Sequence, residues 1–181
     1  MDTLGMIEVL SIPMGVLAAD AMLKSAGVSL VAAQAVCAGK YMVLVSGTTA
    51  EVTCAVRAGE GAAEHTLVDS LVLSNVDERV IAAISGVSDI GPVEAVGIME
   101  SFSLAAAVRG ADAAVKAADV ELIEVRLGRG LGGKSFIVMT GSVSSVRAAV
   151  AAAEGLEEVE GMLARSVVIP APNQDLVRAL L

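Results

Sequence analysis

At 181 residues the chain has the length of little more than one ordinary domain or of two small ones, and its composition, 55% hydrophobic with 2% aromatic and 18% charged, excludes a disordered segment. Twelve Lys and Arg against 21 Asp and Glu give a net charge of -9, and only Tyr41, Phe102 and Phe136 are aromatic, so the chain lacks both the basic footprint that duplex nucleic acid requires and the stacking platforms that a single strand requires. Mean hydropathy is +0.75, yet the longest uncharged run, residues 25–39, has 15 residues where a membrane span needs about 20.

The start, Met1-Asp2-Thr3-Leu4-Gly5, lacks the basic opening of a signal peptide, and the two cysteines, Cys37 and Cys54, have no CxxC spacing. A cytoplasmic, reducing location is expected, with the surplus apolar surface buried between subunits.

Residues 5–10 form an apolar run suited to a strand. Ser11 is placed to cap a helix over 13–26, with Pro13 in its first turn and Asp20 and Lys24 four residues apart. Two β-rich runs, 28–36 and 41–46, flank a loop containing Gly39; an Ala-rich helix over 50–63 and a strand over 67–73 follow. The same order then recurs as strand 96–101, helix 103–118, strands 120–127 and 135–141, helix 143–154 and strand 163–169.

The recurrence is a duplication. At an offset of 92, Gly5, Glu8, Ser11, Asp20, Lys24, Ala26 and Val28 meet Gly97, Glu100, Ser103, Asp112, Lys116, Ala118 and Val120. Beyond residue 30 the offset becomes 94, pairing Gly39, Lys40 and Gly47 with Gly133, Lys134 and Gly141, and Ser70 meets Ser166 at 96. The expected organisation is two domains, 1–92 and 93–181. Each has βαββαβ order, the ferredoxin-like α+β arrangement with helices on one face of an antiparallel sheet.

The segments Gly5-Met-Ile-Glu8, Asp20-Ala-Met-Leu-Lys-Ser-Ala26, Cys37-Ala-Gly-Lys40 and Leu67-Val-Asp-Ser-Leu-Val-Leu-Ser-Asn75, repeated in tandem, resemble the bacterial microcompartment shell domain in its double-domain, trimeric class. Within it the chain looks most like the iron-sulfur shell proteins of propanediol-utilisation compartments. The resemblance covers the whole chain. It implies a homotrimer forming a flat pseudo-hexagonal tile, assembly with other microcompartment shell proteins, and no enzymatic activity. The loops between the second and third strands of each copy would line a central pore: Ala38 and Gly39 in the first, Arg129, Gly130, Leu131 and Gly132 in the second. Lys24 and Lys116, read locally as helix ion-pair partners, would lie at the tile edge. The chain departs from the family in carrying Pro170-Ala-Pro-Asn173 where a Pro-Arg-Pro-His type of segment is usual, and Leu131 where the first copy has Cys37.

Read alone, Cys37 fits a small buried hydrophobe as well as a ligand. Three chains around an axis would gather three thiolates, and these ligate three irons of a 4Fe-4S cube, leaving the fourth to water or another ligand. With the resemblance, Cys37 is expected to hold one cluster per trimer, for electron transfer across the shell or delivery to an encapsulated or cytoplasmic redox enzyme. A tile conducting a metabolite without a cluster is the alternative; a nucleotide binder and a ferredoxin-like trimeric regulator are further ones. Residues 128–135, Gly-Arg-Gly-Leu-Gly-Gly-Lys-Ser, match the phosphate-loop pattern, but such a loop must open a helix, and Phe136-Ile-Val-Met-Thr140 reads as a strand. Arg126, Arg129 and Lys134 make this loop locally basic, suited to anions or to the charge of a thiolate cluster. Cys54 is expected in the core, Glu157, Glu158 and Glu160 form a solvated acidic loop, and His65 has no nucleophile with an orienting acid beside it.

Overall fold

A computed structural model describes residues 3–180. In chain order the elements are β1 (Thr3–Val9), α1 (Ile12–Ser25), β2 (Ser29–Val36), β3 (Lys40–Gly47), α2 (Thr49–Ala63), β4 (Leu67–Leu73), α3 (Glu78–Ser85), β5 (Ala95–Ser101), α4 (Leu104–Ala117), β6 (Val120–Leu127), β7 (Ser135–Gly141), α5 (Val143–Glu154), β8 (Leu163–Pro170) and α6 (Gln174–Leu180). The twelve elements expected from the sequence all form, and α3 and α6 are additional.

The four long helices begin where a hydroxyl side chain satisfies an amide of the first turn: Ser11 accepts from Met14 N, Ser103 from Ala106 N and Ser142 from Ser145 N. At α2 the cap is reciprocal, Thr48 accepting from Glu51 N while the Glu51 carboxylate accepts from Thr48 N. The Thr48 hydroxyl, donating to the Glu51 carboxylate at 2.6 Å, and then the Thr48 amide hold the Glu51 carboxyl below its ordinary range.

Each unit folds on an antiparallel sheet, ordered β2-β3-β1-β4 in the first and β6-β7-β5-β8 in the second, which is the ferredoxin-like order. Alternation along β1 divides its side chains. Ile7 and Val9 join Met22, Val43, Val45, Val52 and Val56 in the core under α1 and α2, while Leu4, Met6 and Glu8 point to the other face. Strand and helix approach so closely that a Cβ on Gly5 would sit 2.6 Å from Val52 Cγ1, and one on Gly97 2.7 Å from Val146 Cγ1. Glycine at these duplicated positions is therefore a packing requirement.

The chain divides into compact units between Val76 and Asp77, whereas the repeat alone put the boundary at residue 92. The reason is α3, which continues the first copy in sequence but packs beside β6. Asp77 caps α3 and receives the Arg79 guanidinium through both carboxylate oxygens, at 2.8 and 2.7 Å. Arg79 also donates to the carbonyls of Val115 and Val120, Asp77 N donates to Asp112 Oδ1, and Val80 and Ala83 are buried. Gly86, in the left-handed region at φ 71°, ends the helix.

The Arg79 guanidinium holds the Asp77 carboxyl below its ordinary value. A depressed acidic pKa contributes stability that is present above the unfolded value of about 3.9 and disappears as pH falls through the lower folded value. Asp77→Asn keeps a competent cap and loses the ion pair. The melting temperature of this variant should lie below that of the parent at about pH 6, and the gap should narrow as acid takes the pH below about 3.9, read by far-UV circular dichroism melts.

Candidate functional site

The β2–β3 connection is a three-residue turn. Cys37–Gly39 form one 3-10 turn between the strands, and both Ala38 (φ 64°) and Gly39 (φ 73°) adopt left-handed backbone. For Ala38 that conformation costs about 1 kcal/mol, so the surrounding ladder from Val36↔Lys40 upward must hold it. Cys37 is half-buried at the start of the turn, Ala38 and Gly39 are exposed, and a side chain added at Gly39 would meet open space.

Below the turn lies an ion pair that the sequence reading did not single out. Lys40 Nζ donates to Glu8 Oε1 at 2.8 Å, and the Glu8 side chain is only 2% exposed. The second unit repeats it with Lys134 Nζ and Glu100 Oε1 at 2.9 Å. The signal was present, since both members of the pair recur in the duplication. It was missed because β1 and β3 become neighbours only when the sheet forms.

The β6–β7 connection has seven residues, 128–134, against three in the first unit, and Gly128, Gly130, Gly132 and Gly133 all have positive φ. Arg129 and Gly130 are exposed, and Leu131 stands where the first copy has Cys37. No helix follows Lys134: Ser135 begins β7 and Lys134 is committed to Glu100, so the residues matching a phosphate loop lack the helix N-terminus that such a loop uses. Arg126 is held by Glu124 at 2.7 Å and stacks 4.9 Å above the Phe136 ring. Of the three basic residues, Arg129 is the one standing exposed at the tip.

Lys24 ends α1 with its side chain 74% exposed, 2.6 Å from Asp20. Lys116 pairs with Asp112 at 2.5 Å, and that carboxylate is nearly buried because it also accepts from Asp77 N. Cys54 departs from its expected place in the core. The buried face of α2 runs through Val52, Ala55, Val56 and Gly59, and Cys54 lies on the opposite side, exposed, its thiol donating to the Ser25 carbonyl at 3.7 Å. His65 lies in an exposed turn after α2, and Glu157, Glu158 and Glu160 are exposed. Among the described residues, no three His, Cys, Asp or Glu side chains of one chain converge as a metal site, and no helix is long and apolar enough to cross a membrane.

The BMC domain family matches this chain twice, over residues 3–76 and 95–172. The chain belongs to the BMC-domain family. It is a tandem-domain microcompartment shell protein, 40% identical over 179 residues to the bacterial microcompartment shell protein PduT of Citrobacter freundii, covering 99% of this chain and 97% of that one. It is 32% identical to the carboxysome assembly protein CcmO of Synechococcus elongatus over 98% of this chain and 68% of the relative. Among solved structures, a microcompartment protein from Desulfitobacterium hafniense DCB superposes with a TM-score of 0.93 at 46% identity, over 98% of this chain and 99% of that one. The BMC domains here carry the β2–β3 and β6–β7 loops at equivalent places in two copies of one fold.

Truncating Lys40 would strand the Glu8 carboxylate in a buried site. Lys40→Ala should therefore lower unfolding free energy by about 3 kcal/mol in urea titrations, and the paired change Glu8→Met with Lys40→Met should recover most of that loss.

Proposed function

We propose that the chain builds a homotrimeric shell tile, with two BMC domains per chain making six around one axis, and that Cys37 from three chains holds a 4Fe-4S cluster at the pore. The observation that carries the assembly is a pair of open apolar surfaces whose counterparts in the duplication are covered. On α1, Ile12 and Val16 lie on one stripe and are 44% and 53% exposed, while their equivalents on α4, Leu104 and Val108, are buried. On the helix-free face of the first sheet Met6, Met42, Leu44 and Leu71 are buried. Of their equivalents on the second sheet Val138 is buried, but Ile98 and Phe136 are only half-buried and Val167 is 46% exposed; with Leu180 of α6 they line an open concavity of about 390 Å³.

A helix stripe from one copy fits an apolar sheet face of the next. Such a contact joins different surfaces of two copies, so it either closes into a ring or grows into a filament. The tandem class that the chain resembles closes after three. Lys24, exposed at the end of α1, would then face a neighbouring tile, and other shell proteins with BMC domains are the expected neighbours. Val16→Asp should reduce the trimer to single chains of unchanged helix content, measured by light scattering after size exclusion; a persistent trimer would remove α1 from the interface.

The residues present fit a cluster in donor chemistry. One thiol per chain stands at a tight turn beside open space, and thiolate is the ligand that iron-sulfur clusters require. A bound cluster would supply one-electron transfer. The chain's own contribution is to hold the thiol in place: the Glu8–Lys40 pair and the β2–β3 ladder fix the strands on either side of the turn. Such a tile passes electrons across the shell, or delivers its cluster, with a redox enzyme inside or outside as partner. Anaerobic purification should yield about four iron and four sulfide per trimer with a broad visible absorbance. Cys37→Ser should lose both while remaining trimeric; a trimer with no iron in the parent would leave a metabolite-conducting pore as the reading.

A further inference from the structure

Helix α6 occupies in the second copy the place that α3 occupies in the first. At the offset of 96, Asp77 corresponds to Asn173, and the correspondence is structural: Arg79 N donates to Asp77 Oδ1 and Asp175 N donates to Asn173 Oδ1. The residues before them, Val76 and Pro172, are both buried. The apolar face of α3, Val80 and Ala83, is buried, whereas the same face of α6, Leu176 and Ala179, is exposed, Leu176 by 42%.

The surface that receives α3 has a bare counterpart as well. Helix α3 sits against the last turn of α4 and the first half of β6, where Val115, Val120 and Leu122 are no more than 4% exposed. The equivalent residues in the first unit are Leu23, Val28 and Leu30, and Leu23 and Leu30 are 39% and 47% exposed. Asp112 is nearly buried in the second unit, while Asp20 in the first is 55% exposed. The chain thus carries one docked helix with a filled groove, and one helix that buries Val177 in its own unit while Leu176 and Ala179 stay uncovered, with an empty groove.

Charges on the two sides change together. Arg79 faces the acids Asp119 and Glu121. In the first unit those positions are Gly27 and Ser29, and on α6 the arginine is replaced by Asp175. The helix that lost its cation corresponds to a groove that lost two anions; Glu51 remains beside Gly27, and Asp175 brings its own counter-charge, Arg178 at 2.8 Å. The carbonyl contacts of Arg79 have no counterpart on α6, which leaves the apolar face as its means of attachment.

We infer that α6 docks in the groove between the end of α1 and the start of β2 of a second copy of this chain. The occupant follows from the order of the repeat. The helix trailing the first copy packs on the unit that comes next, and among the described residues no third unit follows the second copy to receive α6. The inference rests on the assembly reading above and names a contact within it: a C-terminal strap from each chain to its neighbour.

The test uses two chains, each carrying Cys37→Ser and Cys54→Ser, one also Leu30→Cys and the other also Leu176→Cys. They are produced together with different tags and treated with a short bis-maleimide. A product containing one chain of each kind is expected, with neither chain linking to itself. Trimers by light scattering with no such product overturn the strap alone. A chain bearing both substitutions that links only within itself also overturns it, because the helix then docks at home. Absence of trimers removes the assembly reading and the strap with it. In the otherwise unaltered chain, Leu176→Asp should raise the trimer dissociation constant about tenfold or more, with unchanged far-UV circular dichroism; an unaltered constant would count against the strap.

Discussion

A four-stranded sheet has two faces, and in each unit the two long helices cover only one. Both faces are apolar. In the first unit Ile7, Val9, Val43 and Val45 face the helices, and Leu4, Met6, Met42 and Leu44 face away from them. A sheet built this way needs a second layer from elsewhere, because leaving the other face in water would forgo about 25 cal/mol for every Å² of apolar surface. The aromatic-poor, Ala-rich composition fits that demand. Small residues let α2 and α5 lie close on the strands over Gly5 and Gly97, which keeps each unit thin and gives up core volume that partner surfaces must restore.

Duplication supplies one scaffold, and divergence then makes the copies unequal in the loops between their second and third strands. The ion pairs Glu8–Lys40 and Glu100–Lys134 sit at the same place in both sheets and brace the same loops. Above them the first copy has a three-residue turn carrying a thiol, and the second a seven-residue loop of four left-handed glycines carrying Arg129 and Leu131. The rigid turn can place one donor accurately. The glycine-rich loop, with no side chain of its own to pack at four positions, suits a surface that must accommodate neighbours.

Much of the fold was legible because its signals are local. Apolar and β-rich runs gave the strands, Ser11 gave the cap of the first helix, and the duplication tied the two sets together, so the elements agree within a few residues. The helices α3 and α6 were not read from the chain. They have eight and seven residues, too short to be stable on propensity, and exist because Asp77 or Asn173 caps them and because each buries apolar side chains, Val80 and Ala83 on α3 and Val177 on α6. Cys54 was misplaced for a related reason: in an Ala-rich helix almost every position could face inward, and only the packing of Val52 and Val56 against the sheet chooses the buried side.

By itself the sequence determined the order of elements, the duplication and the position of its single loop thiol, since each depends on residues near one another in the chain. Tertiary structure decided which apolar residues are left uncovered. Ile12 and Leu104 are alike in hydrophobicity and repeat position, as are Leu30 and Leu122, yet one of each pair is exposed and the other buried. Burial is a property of what lies across from a residue, and that neighbour is brought by the fold from a distant part of the chain.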